Sequence, residues 1–135
     1  MNYKEKYRQW LDFADPDTKA ELESLTDEKE IEDRFYKDLA FGTGGLRGIM
    51  GAGSNRMNRY TVGKATLGLA NYLKSTGKAD LKVAIAYDSR NNSADFAKTA
   101  AGIFANCGLH VYLYDRLVPV PVLSFTTRYL HCDAG

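Results

Sequence analysis

The stretch from Ala40 to Tyr60, AFGTGGLRGIMGAGSNRMNRY, holds six glycines and three arginines. The two residue types together suit anion binding. Glycine lets backbone N–H groups approach a ligand with no Cβ in the way. A planar guanidinium can pair two oxygens of one phosphate. Arg47, between Gly45 and Gly48, is the leading candidate, with Thr43, Gly44 and Gly45 as the loop beside it. Two nucleotide signatures fail here. The GxGxxG pattern begins at Gly42 and Gly44, and again at Gly51 and Gly53. Arg47 and Arg56 then stand where a third glycine should allow close helix–strand packing. The phosphate loop GxxxxGK[ST] runs from Gly48 to Gly53, but Ser54 replaces its lysine. Taken alone, the stretch reads most simply as a glycine-rich turn with an exposed arginine.

A second polar group is Asp88 and Arg90 in YDSRNNS, residues 87–93. Ser93 precedes an apolar helical pattern and reads as a helix cap rather than a nucleophile. Ser54, Asn55 and Arg56 read as solvated loop. His110, at a strand start, and His131 read as ordinary histidines. Cys107 and Cys132 have no metal-ligand spacing and suggest reduced thiols in a cytoplasmic protein.

The surrounding elements must position these groups. Residues 3–40 read as short helices. Tyr3, Tyr7, Trp10 and Leu11 share one face. Asp15 and Pro16 start a second helix. Asp27 and Glu30 have capping-box spacing ahead of a stripe of Ile31, Phe35 and Leu39. Asn58 caps a helix to about Thr76, with Val62, Ala65, Leu69, Tyr72 and Leu73 expected inward and Gly77 ending it. KVAIAY (82–87) and LHVYLYD (109–115) read as strands, with a helix from Ser93 to Gly108 between them. A third helix spans 119–130. Strands alternating with helices imply an α/β fold, three α/β/α layers with crossover connections. No returning strand is evident in HCDAG (131–135), which reads as a domain cut short.

Charge is uneven. Residues 1–40 carry 7 Lys/Arg and 12 Asp/Glu, net −5, and residues 41–135 carry 11 and 5, net +6. A basic body suits an anionic ligand. A nucleic-acid-binding module is the alternative, but the basic residues form no run and are not interleaved with aromatics as a stacking surface requires. The N-terminus has no apolar signal segment, and no run is long enough for a membrane helix.

FGTGGLRGIMGAGSNRMNRYTV resembles the first domain of the α-D-phosphohexomutases, the phosphoglucomutase and phosphomannomutase family. Phe41 to Gly48 match the Phe-Gly-Thr-x-Gly-x-Arg-Gly signature of the family's first strand. YDSRNNS resembles its Asp-x-Arg-x-x-Ser segment. VPVPVLSF (118–125) resembles its Pro-Thr-Pro turn, with Val120 in place of threonine. The acidic lead-in resembles the phosphoglucomutase/phosphopentomutase branch.

The resemblance implies a helical extension over 1–40 and an α/β/α domain I with a mixed sheet over 41–135. It implies a four-domain parent enzyme that moves phosphate between the 1- and 6-positions of a sugar phosphate, or the 1- and 5-positions of a pentose. The route is a phosphoserine and a sugar bisphosphate, supported by Mg²⁺. Arg47 then contacts phosphosugar, Thr43, Gly44 and Gly45 shape that wall, and Asp88 and Arg90 form a structural ion pair near the site. The family's Thr-x-Ser-His-Asn-Pro nucleophile loop and Asp-Gly-Asp-Gly-Asp metal motif have no counterpart in this sequence, which contains no Ser-His pair. The chain is therefore expected to lack catalytic and metal-binding residues and to be inactive without the remaining mutase domains. A regulatory truncated partner is a further alternative.

Overall fold

The computed structural model describes all 135 residues. The chain divides into two compact units, Met1–Thr61 and Val62–Gly135.

The first unit begins with three helices, α1 (Tyr3–Phe13), α2 (Pro16–Glu23) and α3 (Glu28–Phe35). Each start has a side-chain acceptor for the otherwise unpaired N–H groups of a first turn. Asn2 and Glu5 form a reciprocal capping box on α1. Asp15 accepts from the Thr18 N–H on α2, with Pro16 in the first helical position. Asp27 accepts from the Lys29 N–H, but the capping box expected with Glu30 does not form. Glu30 instead turns along its helix to Arg34, at 2.7 Å.

The helices bury Trp10, Leu22 and Phe35 together with Ala52, and Tyr3, Tyr7, Leu11, Ile31 and Tyr60 pack around them. Trp10 meets Phe35 and Tyr60 edge-on, at centroid distances of 5.6 and 5.2 Å, a preferred aromatic geometry. After α3 the chain forms an antiparallel hairpin of β1 (Phe41–Gly42) and β2 (Gly45–Leu46), paired Phe41 to Leu46 and Gly42 to Gly45. The signature segment is thus a short turn-and-return, not the single strand the family resemblance implied.

The second unit contains most of α4 (Arg59–Ser75), then β3 (Lys82–Ile85), α5 (Ser93–Asn106), β4 (His110–Leu113) and α6 (Val120–Tyr129). β3 and β4 pair in parallel, Val83 opposite Val111, and α5 is the crossover such pairing requires. Val83, Leu81 and Leu109 pack with Ala70 and Leu73 of α4 and Phe104 of α5. Side chains alternate across a sheet, so buried Ala84 points to the opposite face. There α6 packs against β3. The result is the expected α/β/α layering around a smaller sheet.

Three expectations are corrected. The buried face of α4 is Thr66, Ala70 and Leu73, whereas Tyr72 is 67% exposed and Leu69 41%. Small residues let the helix sit close to its neighbours, and the Thr66 hydroxyl is satisfied by the Val62 carbonyl at 2.8 Å. Ser93 does not cap α5. The cap position is Asn92, in a left-handed conformation without a side-chain cap bond, and the Ser93 Oγ accepts from the Asp88 N–H at 3.2 Å. Finally, the chain does return to the sheet after α6. Ala134 bridges Val83 in parallel, the Asp133 N–H donates to the Lys82 carbonyl at 2.7 Å, and the Ala84 N–H donates to the Ala134 carbonyl at 3.0 Å.

Candidate functional site

The two halves of the glycine-rich stretch do different work. Thr43 and Gly44 form the two-residue tip of the β1–β2 hairpin, and both are exposed. Gly45 follows with φ +107°, a conformation that side chains rarely adopt. Arg47 leaves the hairpin exposed to solvent, and its guanidinium folds back over Gly44. A Cβ on Gly44 would lie 2.5 Å from an Arg47 terminal nitrogen and 3.3 Å from Cζ. Gly44 is therefore the seat of the guanidinium. The structure brings Thr43, Gly44, Gly45 and Arg47 together on one exposed turn.

Gly51 and Gly53 form the second half, and they pack against helix α3. Gly53 has φ +131°, and a Cβ there would stand 2.8 Å from the Arg34 carbonyl oxygen. The Arg34 guanidinium donates to Glu21 at 2.6 Å, to Glu30 at 2.7 Å and to the Ala52 carbonyl at 3.0 Å. Glu21 also accepts from the Ala52 N–H at 3.0 Å. Burial pushes the Glu21 carboxyl up, but its bonds to Arg34 and to the Ala52 N–H outweigh this and hold it below its ordinary value. Asn58 closes the loop from the other side, donating to the Gly51 and Gly53 carbonyls at 2.8 and 2.9 Å. Its Oδ1 caps α4 through the Tyr60 and Thr61 N–H groups, both at 3.0 Å.

Ser54, Asn55 and Arg56, expected as solvated loop, are part of this framework. Ser54 and Arg56 are only 9% and 6% exposed. The Ser54 hydroxyl donates to the Lys37 carbonyl at 2.8 Å and Asn55 Nδ2 to the Asp33 carbonyl at 2.8 Å. Arg56 pairs with the Asp33 carboxylate at 2.6 Å. The signal that could have revealed this is the run of short polar residues beside two glycines, since such groups fold onto backbone rather than into water.

Between the hairpin exit and this loop lies an open pocket of about 310 Å³, lined by Lys37, Leu39, Arg47, Gly48, Asn55 and Arg56 among others. Gly48 lets the chain cross Leu39 closely; a Cβ there would be 2.7 Å from a Leu39 methyl. Sequence reasoning passed over Lys37, which belongs to no motif.

Asp88 and Arg90 belong to the second unit, beyond the carboxyl end of β3. Arg90 Nε and its backbone N–H donate to the two Asp88 oxygens, at 2.7 and 3.0 Å. The Arg90 guanidinium, then its N–H, hold the Asp88 carboxyl down to about 2. This is a self-closed acid–base turn with little charge left over for a ligand. The chain has no group of three or more His, Cys, Asp or Glu side chains placed to hold a metal ion. No helix is long and apolar enough to cross a membrane.

Comparison with known proteins gives the arrangement a family. Residues 38–135 match the family described as phosphoglucomutase/phosphomannomutase, alpha/beta/alpha domain I. The chain belongs to this family. It is 40% identical over 126 residues to a phosphoglucomutase of Staphylococcus epidermidis strain ATCC 12228, covering 93% of this chain and 23% of that protein. Phosphoglucomutases of Staphylococcus haemolyticus and of Staphylococcus aureus strain USA300 are 39% and 36% identical over the same coverage. The chain thus spans about a quarter of the length of these relatives. No solved structure matches it significantly.

Proposed function

We propose that this chain is the first domain of a phosphosugar mutase, residues 41–135 forming domain I behind a helical extension of residues 1–40. Within it the Thr43–Arg47 turn contacts the phosphate of a sugar phosphate or sugar bisphosphate. The observation that carries the reading is Arg47. Its guanidinium is exposed, seated on Gly44, and presented from a turn beside an open pocket. Phosphoryl transfer asks a protein mainly to position the phosphate and to neutralise its oxygens. A guanidinium does both, and does so without bulk behind it when its neighbours are glycines.

The reaction of the whole enzyme is transfer between the 1-position and the 6- or 5-position through a phosphoserine and a bisphosphorylated sugar. The serine belongs to a loop of domain I that has no counterpart in this sequence, and the Mg²⁺ ligands and the groups that choose the sugar fall to the remaining mutase domains. This chain alone binds and does not turn over. Its two free cysteines suit a reducing, cytoplasmic setting.

The test is titration of the chain with glucose 1,6-bisphosphate, followed by phosphorus NMR. One exposed arginine with a few backbone donors supports a Kd of about 1 mM or weaker. Arg47→Ala should remove the binding. Tight binding that survives Arg47→Ala would put the site elsewhere.

A further inference from the structure

We propose that the pocket beside the hairpin is a phosphate subsite in which the Lys37 ammonium and the Arg47 guanidinium grip one phosphate monoester between them. The proposal rests on the reading of Arg47 given above and extends it with a second cationic arm.

Three observations converge. First, the pocket's charges do not cancel evenly. Arg56 and Asp33, both lining it, neutralise each other at 2.6 Å. Lys37 and Arg47 line it too, and the Lys37 ammonium rests 5.0 Å from the centroid of the Tyr36 ring rather than on a carboxylate. A ring face holds a cation only weakly at an exposed site, so an anion can take it. Second, the base of Lys37 is fixed. Its carbonyl accepts from the Ser54 hydroxyl at 2.8 Å, and two residues on the Leu39 N–H donates to the Ser54 carbonyl at 2.8 Å. The lysine therefore springs from a backbone tied to the rigid loop, while its side chain is free to turn. Third, Gly48 crosses Leu39 closely, and Lys37, Leu39, Arg47 and Gly48 all line the same pocket. Both side chains are exposed, and exposed rotamers change in picoseconds to nanoseconds, so the two charged ends can close over a dianion at the mouth. A pocket of about 310 Å³ is at the small end of ligand clefts, fitting a phosphate with a small attached group.

Inorganic phosphate and glucose 1-phosphate are titrated separately into the full chain at low salt. Backbone amide shifts report position and phosphorus shifts report affinity. The variants are Lys37→Met, Lys37→Arg, Arg47→Ala and, as a charge control in the second unit, Lys98→Met. Lys37→Met should weaken both ligands about fivefold, the size expected of one exposed ion pair. Lys37→Arg should bind within about twofold of the parent, and Lys98→Met should not differ from it. Amide shifts should cluster at residues 37–56. If Arg47→Ala weakens binding while Lys37→Met behaves like Lys98→Met, the lysine arm is overturned and the mutase reading stands. If phosphate at tens of millimolar moves no amide in residues 37–56, the subsite and the assignment of Arg47 both fall.

Discussion

Alanine at Gly53 and alanine at Gly44 should fail in opposite ways, although the two lie only nine positions apart in one glycine-rich stretch. At Gly53 the backbone has φ +131°, and the new Cβ would lie 2.8 Å from the Arg34 carbonyl oxygen and 2.9 Å from Arg34 Cβ. Neither atom is a flexible end. Arg34 sits in α3, and its carbonyl also accepts the Asn55 N–H at 2.9 Å, so relief means breaking the loop away from the helix. A glycine-only conformation costs about 1–3 kcal/mol for another residue, and overpacking costs about 1–3 kcal/mol. The variant should lose roughly 2–5 kcal/mol, against a typical total of about 5–15 kcal/mol for a domain. With a mid-range urea slope of about 2 kcal/mol/M, the unfolding midpoint should fall by about 1–2.5 M.

At Gly44 the backbone is not in that region, and the Cβ meets only the tip of the exposed Arg47 side chain. The guanidinium swings aside at little cost, and stability should change by about 0.5 kcal/mol or less. The seat of Arg47 is lost, however, and phosphosugar affinity should drop. Urea unfolding by circular dichroism and the phosphorus titration, run on both variants, separate the two effects. Unchanged stability in Gly53→Ala would refute the assignment of the second glycine pair to scaffolding. A large stability loss in Gly44→Ala would refute the seating argument.

Phe35→Ala should destabilise the first unit by about 3–5 kcal/mol, because Phe35 is fully buried and packs edge-on against both Tyr7 and Trp10; loss of the tryptophan fluorescence transition in urea reads it directly. Acid should destabilise the chain with a sign fixed by Asp15. The Tyr60 hydroxyl, then the Thr18 hydroxyl, hold its carboxyl below its ordinary value. A lowered carboxyl contributes stability that is complete above the unfolded value, near pH 4, and is lost as pH falls below it. Melting temperature should be level from about pH 6 to 8 and decline below about pH 4, and Tyr60→Phe should shrink that decline; an identical acid slope in the variant would remove Asp15 from the account.

Elements with strong periodicity and clear end signals were legible in the sequence, and contacts made by backbone were not. Asn58, Asp15–Pro16 and Gly77 mark ends because capping and left-handed turns demand particular residues locally. Gly77 indeed has φ +73°. The inward face of α4 differs from the expected one because side-chain size is a poor guide to burial where a helix approaches its neighbours through Thr66 and Ala70. The return to the sheet leaves no mark in the sequence, because a single bridging residue, Ala134, carries no pattern. Lys37 and the Glu21–Arg34 network were invisible for a related reason. Their roles come from which backbone groups a loop leaves unpaired, and that is settled only when residues 49–57 lie against α3.

The same division explains how a turn of so little intrinsic stability can hold Arg47, the proposed phosphate contact. The β1–β2 hairpin has only two residue pairs, and a two-stranded hairpin is marginal by itself in water. What fixes it is what lies at its base. Leu39 is tied to Ser54, and Met57 donates to the Ile49 carbonyl at 2.7 Å, so the chain entering the turn and the chain leaving it are both held by the loop that Arg34, Glu21 and Asn58 stabilise. Met57, Glu21 and Arg34 accept the N–H groups of Gly51, Ala52 and Asn55, groups that in many glycine-rich loops would face an anionic ligand. The backbone of the second glycine pair is therefore spent on scaffolding, which leaves the proposed phosphate contacts to side chains carried by the anchored turn and to Lys37 next to it. On this reasoning the glycine-rich stretch is not a backbone cradle for phosphate. It is a rigid mount for an arginine.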